Sequence, residues 1–261
     1  MKTTHLQRYL IMALLLIFPF RTLLAQNSKP VYVLVHGAWH GGWCWQEVSR
    51  KLRAQGYEVY TPSMSGMSEY KHTRTPQTNL STHITDIISL LIQEDLHHVV
   101  LVGHSYAGAV ITGVADSIPE RLEKLIYLDA LLPHNGQNIV SLQEPAQQQR
   151  LNGLIKQGIT TIPIMTADLF GVTDPARLKW TNERLTLQPI RTFTEPLRLK
   201  HVYGNNIPLV YIGCTQPQLP VMQQFIDAVK KDRAWKYYGL KTGHDAMITA
   251  PEELTKLLVE L

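Results

Sequence analysis

The chain has 261 residues, 44% of them hydrophobic, enough for one enzyme-sized domain that could bury roughly 70–75% of its unfolded surface. Its formal charge is +4, but three of its 25 Lys and Arg residues (Lys2, Arg8 and Arg21) lie in the first 25 residues, which carry no carboxylate. The remaining 22 then face 21 acidic residues. That balance, with no Lys/Arg cluster interleaved with aromatics, excludes nucleic acid as a charge-driven partner.

Taken from the N-terminus, Lys2 and Arg8 open a basic start, Tyr9 to Phe20 is apolar, and Leu23-Leu24-Ala25 ends in a small residue. This reads as a signal peptide over residues 1–25, which predicts a periplasmic or secreted protein. Arg21 interrupts the apolar run, and a span needs about 20 apolar residues. Stable membrane insertion after cleavage is therefore not expected, although an uncleaved signal anchor is the alternative. Residues 26–261 form the predicted main domain.

Strand and helix signals then alternate. Val31 to His36 is an apolar strand, Trp45 to Ala54 a helix stopped by Gly56, and Tyr57 to Thr61 a strand closed by Pro62. After a loop from Ser63 to Thr78, Leu80, Ile84, Ile87, Ile88 and Leu91 mark one helix face, with Asn79 or Ser81 as its cap. The strand from Val99 runs into Gly103-His104-Ser105-Tyr106-Ala107-Gly108 and a helical segment from Ala109 to Ile118. Lys124 to Asp129 is a further strand. The rhythm breaks over about 131–206, rich in Gln, Pro and Thr, then resumes with Ile207 to Gly213, Pro220 to Lys230, Trp235 to Tyr238 and Glu252 to Leu261. The predicted class is α/β, a mostly parallel doubly wound sheet with an inserted helical cap. Ligands should bind at the carboxyl ends of its strands.

Three segments fall at such ends. A serine at a sharp strand-to-helix turn exposes its hydroxyl, and the amide of the following residue points at what it attacks. Ser105 is the candidate nucleophile and the Tyr106 amide a candidate oxyanion donor. Val35-His36-Gly37-Ala38-Trp39-His40-Gly41-Gly42-Trp43 follows the first strand, and its Ala38 amide is the second donor candidate. Lys241-Thr242-Gly243-His244-Asp245 follows the last strand, so His244 could reach back to take the serine proton. Read blandly, these are a tight glycine turn and a solvated histidine.

The motifs Leu34 to Trp45, Gly103 to Gly108 and Gly243-His244-Asp245 resemble the α/β-hydrolase superfamily. Within it they are similar to plant-type methylesterases and hydroxynitrile lyases and to their bacterial esterase relatives. The resemblance runs from about Val31 to Leu261 and is weakest across the cap. It implies the α/β-hydrolase fold, Ser105 as nucleophile, His244 as general base, and Ala38 and Tyr106 as oxyanion amides. Lyases of the family carry a threonine where this chain has Gly37, and a lysine where it has Asp245. An aspartate would repel cyanide, so ester hydrolysis is preferred.

The triad acid is less direct. In the family it usually follows the penultimate strand, but Ile212 to Pro220 contains no carboxylate, and the nearest, Asp227, lies in the next helix. Asp129, at the end of the strand after the serine's helix, keeps the order Ser105, Asp129, His244. It could instead merely cap the entry to the cap segment. Asp245 is a poorer candidate, and a dyad without acid is possible.

The expected substrate is a small-molecule carboxylic ester. Lyase chemistry and a non-catalytic small-molecule receptor remain the alternatives. No Cys/His spacing fits zinc and no Gly-x-Gly-x-x-Gly follows the first strand, so no cofactor is predicted. Cys44 and Cys214 could pair or stay free. His40 is expected to be a hydrogen-bonded loop histidine, and Trp39, Trp43 and Trp45 to pack the first helix. Family analogy suggests Phe170 and Trp180 as pocket walls. Oligomeric state is not legible.

Overall fold

The computed structural model describes residues 29–261; the signal-peptide reading over residues 1–25 lies outside them. Six parallel strands form the main sheet: β1 (Val31–Val35), β2 (Val59–Tyr60), β3 (Val99–His104), β4 (Leu122–Leu128), β7 (Leu209–Cys214) and β8 (Trp235–Leu240), in the order β2-β1-β3-β4-β7-β8. Register is continuous through the centre, with Val33 beside Leu101, Leu101 beside Leu125, and Leu125 beside Leu209.

Strand side chains alternate between faces, and here each face carries its own core. Val33, Val35, Leu101, Leu125, Tyr127 and Tyr211 pack on one side, against α2 (Leu80–Gln93), α3 (Ala107–Ser117) and α7 (Gln223–Lys231). Tyr32, Leu34, Val100, Val102, Ile126 and Ile212 pack on the other, against α1 (Gln46–Ala54) and α9 (Pro251–Glu260). Strands covered on both faces read as unbroken apolar runs, as β3 does. Each fully buried aliphatic side chain contributes roughly 1.5–3 kcal/mol. Asn79 caps α2 in a capping box, accepting from the Thr82 amide at 2.9 Å, while the Thr82 hydroxyl accepts from the Asn79 amide at 3.3 Å.

Between β4 and β7 the chain forms α4 (Pro145–Lys156), the short pair β5 (Thr161–Ile162) and β6 (Gln188–Pro189), α5 (Pro175–Asn182) and the single turn α6 (Arg191–Thr194). Gln143, Met165, Phe170 and Phe193 of this excursion line the same cavity as Ser105 and His244. The last turn before α9 is α8 (Ala246–Thr249). Among the described residues no helix is long and apolar enough to cross a membrane.

Several boundaries differ from those expected. Strand β2 is only two residues long, and Gly42–Trp45 is a separate 3-10 turn preceding α1. A second 3-10 segment, Ser68–Thr73, occupies the expected loop. Beyond the end of α5 at Asn182, Thr186 donates its amide to the Trp39 carbonyl at 2.9 Å.

Candidate active site

Strand β3 delivers Ser105 at a turn where its φ is +55°, a left-handed conformation that non-glycine residues rarely take. The turn is held from three sides. The Ser105 amide donates to the Leu128 carbonyl, and the Ser105 carbonyl accepts from the amides of Gly108 and Leu131, all at 3.1 Å. Gly108 has to be glycine, since a Cβ there would lie 2.2 Å from the Leu131 carbonyl oxygen.

Strand β8 leads into the loop carrying His244, and Asp129 directly follows strand β4. The structure brings these residues together with Ser105. His244 Nε2 lies 2.9 Å from Ser105 Oγ, and His244 Nδ1 lies 2.7 Å from Asp129 Oδ2. Asp129 is fully buried and His244 nearly so. The second Asp129 oxygen, Oδ1, accepts from the Cys214 amide at 3.0 Å. Asp227, by contrast, sits exposed on α7, where it accepts from Gln223. A carboxylate fixed on Nδ1 leaves Nε2 facing the serine, the arrangement of a proton acceptor for a hydroxyl.

Ser105 and His244 open onto a cavity of about 250 Å³ that Ala38 and Tyr106 also line. Its remaining walls are mainly apolar. Trp39 packs there against Phe170 and Phe193. Met165, Leu219, Val221 and Met222 also line the cavity, and Gln143, Glu144 and Gln147 bring polar groups to it. A larger surface cleft of about 690 Å³ between α1, α5 and α9 contains neither Ser105 nor His244.

Trp39 does not pack the first helix. It has φ +65°, donates from Nε1 to the Pro163 carbonyl at 3.1 Å, and stacks on Phe170 with ring centroids 5.7 Å apart. Trp180 is not a wall of the serine cavity either; it packs edge-on against Trp43 at 5.1 Å. Phe170 is a wall, as expected. Cys44 and Cys214 are both buried free thiols, pushed well above the usual range chiefly by burial.

Sequence reasoning missed a second polar layer behind the triad. His40 Nε2 lies 3.2 Å from Asp245 Oδ2, and both residues are buried. The His104 ring sits 4.6 Å from that of His244, and its Nε2 donates to the His244 carbonyl at 3.0 Å. Burial, reinforced by the neighbouring His244 and His40, holds His104 well below the usual histidine range, in its neutral form. The potential ligand atoms of His104, His244 and Asp245 lie within 4.8 Å of one another. Both His244 nitrogens already face partners, Asp129 and Ser105, so the group does not offer three free metal ligands.

A family profile described as the alpha/beta hydrolase family matches residues 32–257. A carbendazim hydrolyzing esterase from a Nocardioides species is 34% identical over 239 residues, covering 88% of this chain and 98% of the relative. Methylesterase 10 of Arabidopsis thaliana is 25% identical over 259 residues, covering 90% and 93%. Among solved structures, an extracellular alpha/beta-hydrolase from a Paenibacillus species superposes with a TM-score of 0.77 at 24% identity, over 88% of this chain and 98% of that one. These named relatives support a carboxylic ester hydrolase. With the six-stranded parallel sheet and the profile match across most of its length, the chain belongs to the α/β-hydrolase family.

Proposed function

We propose that the chain hydrolyses small carboxylic esters through an acyl-enzyme on Ser105. His244 Nε2 takes the Ser105 proton as Oγ attacks the ester carbonyl. Asp129 holds the imidazole in the required tautomer and stabilises the cation that forms. The Ala38 and Tyr106 amides receive the oxyanion; such donors typically contribute a few kcal/mol each. His244 returns the proton to the departing alkoxide, then deprotonates a water that cleaves the acyl-enzyme and regenerates Ser105.

The observation that carries this reading is the unbroken contact chain Ser105 Oγ, His244, Asp129, at 2.9 and 2.7 Å, opening on an apolar cavity. Relatives named as esterases and methylesterases agree with it. The lyase alternative is disfavoured at both diagnostic positions. A Cβ at Gly37 would lie 2.8 Å from His104 Nδ1 and 3.0 Å from the Ser105 Cβ, so the threonine of that branch has no room. Asp245 brings a carboxylate where that branch has lysine.

The basic, then apolar, start of the sequence supports export after cleavage near Ala25, with residues 26–261 as the working domain and about 131–206 as its cap. The test of activity is hydrolysis of p-nitrophenyl acetate and butyrate by purified protein. S105A should lose it, and a fluorophosphonate should label only the protein with Ser105 intact. Unchanged hydrolysis by S105A overturns the mechanism, and failure of Ser105 to label in folded protein favours a receptor.

A further inference from the structure

The triad leaves one buried pair unused. His40 belongs to the loop after β1 and Asp245 to the loop after β8, 205 residues apart in the chain, yet their side chains meet at 3.2 Å with almost no exposure. Both ring nitrogens of His40 face acceptors, Nε2 the Asp245 carboxylate and Nδ1 the Ala38 carbonyl at 2.8 Å. A neutral imidazole can donate only one of these bonds, whereas an imidazolium donates both. Asp245 Oδ1 has no hydrogen-bond partner, so a buried carboxylate charge depends on His40 for compensation. The Trp43 ring stacks on His40 with centroids 5.4 Å apart, a favourable position for a cation. Burial alone would depress His40, but the Asp245 charge and the bonds to Asp245 and Ala38 outweigh it and raise it above the ordinary histidine value.

The positions of the two residues give the pair a task. His40 grips the carbonyl of Ala38, the residue whose amide is assigned to the oxyanion. Asp245 directly follows His244, and its own amide is anchored to the Phe170 carbonyl at 3.1 Å. We propose that His40 and Asp245 form a buried, charged clamp that locks the oxyanion loop to the general-base loop, acting as positioning residues for ester hydrolysis. This rests on the reading of Ser105, His244 and Ala38 given above. The clamp exists only while His40 keeps its second proton. Besides Asp245, the titratable groups facing His40 are His104 from β3, with ring centroids 6.2 Å apart, and His36 at the end of β1. Both are held neutral by burial, so Asp245 supplies the only opposite charge among these neighbours.

The test compares wild type, H40Q, D245N and H40Q/D245N on p-nitrophenyl butyrate across pH, with S105A as reference. Each single variant should lose about tenfold to a hundredfold in kcat, the scale of a small misplacement of reacting groups, with KM changed by less than about threefold. The double variant should be no worse than the poorer single one, because both break the same link. Wild type should also show an alkaline fall in kcat above the ordinary histidine range, absent from H40Q. Wild-type kcat in the single variants, or losses that multiply in the double, overturns the clamp. If S105A is inactive while D245N and H40Q keep full activity, only the clamp fails; if S105A is active, the reading beneath it fails. Should the variants not fold, nitrogen NMR of histidine-labelled wild type at neutral pH decides. Protons on both His40 ring nitrogens support the clamp, and a single proton overturns it.

Discussion

Asp129 and Cys214 are joined by a 3.0 Å hydrogen bond from the Cys214 amide to the Asp129 carboxylate. Cys214 ends β7, the strand after which the family resemblance places the acid. The amide at that strand end thus holds an acid arriving from the neighbouring strand, β4. The Asp129 amide in turn donates to the Ile212 carbonyl at 2.7 Å, and Asp129 has φ +42°. The two strand ends form one socket for a carboxylate, with Oδ2 left to face His244. The same socket explains why Asp129 tolerates full burial: each oxygen has a directed donor.

If this socket orients the general base, D129N should lower kcat by on the order of a thousandfold to ten-thousandfold, because an amide donor facing Nδ1 favours the wrong tautomer. The substitution keeps the side-chain volume and can still accept from the Cys214 amide, so the thermal midpoint should move little. Steady-state kinetics with p-nitrophenyl butyrate, alongside a melting curve, checks this. Activity within tenfold of wild type would remove Asp129 from the triad.

Much of this arrangement is legible in the sequence because parallel strands covered on both faces are written as apolar runs. Ser105 and Asp129 directly follow two such runs, β3 and β4, whereas His244 lies on the loop after the partly exposed edge strand β8. The 3-10 turn Gly42–Trp45 is not legible, because its pattern continues smoothly into that of α1. The place of Trp39 is hidden for a related reason. Its neighbours Trp43 and Trp45 do pack toward the core, while its own positive φ turns the ring onto Phe170. The His40–Asp245 contact is invisible to any local pattern, since it depends on two loops from strands that are not neighbours in the sheet.

Gly37 supplies a prediction on reaction type. A threonine at this position would crowd His104 Nδ1 at 2.8 Å and the Ser105 Cβ at 3.0 Å, inside a packed turn. G37T should therefore cost about 1–3 kcal/mol in stability, as overpacking does, and should depress hydrolysis without creating cyanohydrin cleavage. Urea unfolding and a cyanide-release assay on mandelonitrile measure both. Cyanide release by G37T would show that a single residue divides the two chemistries.

Met165 bears on chain-length preference. It is partly buried and lines the 250 Å³ cavity beside Phe170 and Phe193. Truncation by M165A removes about three heavy atoms of wall, and each methylene accommodated in an apolar pocket is worth roughly 1–3 kcal/mol of discrimination. The ratio of kcat/KM for p-nitrophenyl hexanoate over acetate should rise at least several-fold. An unchanged ratio would place the acyl chain elsewhere in the cavity.

Acid stability follows from two histidines outside the triad. His36 Nε2 accepts from the Met64 amide at 3.1 Å while Nδ1 donates to the Gly37 carbonyl at 2.8 Å. His83 Nδ1 accepts from the Tyr106 hydroxyl at 3.1 Å while Nε2 donates to the Ser65 carbonyl at 3.0 Å. Each ring is thus used as donor and acceptor at once, which only the neutral form permits. Burial is the main cause that lowers His36 to about 3 and His83 to about 4. The unfolded chain takes up these protons near the ordinary value of 6.5 and the folded chain does not, so stability falls as pH drops below that value. The fall continues to about 4 for His83 and to about 3 for His36. Each group contributes up to about 1.4 kcal/mol per pH unit in that window. Urea midpoints should decline steadily from pH 7 toward pH 5, and H83Q should retain only part of that slope whatever its stability at neutral pH. A midpoint that does not change over this range would mean that both rings accept protons without unfolding the chain.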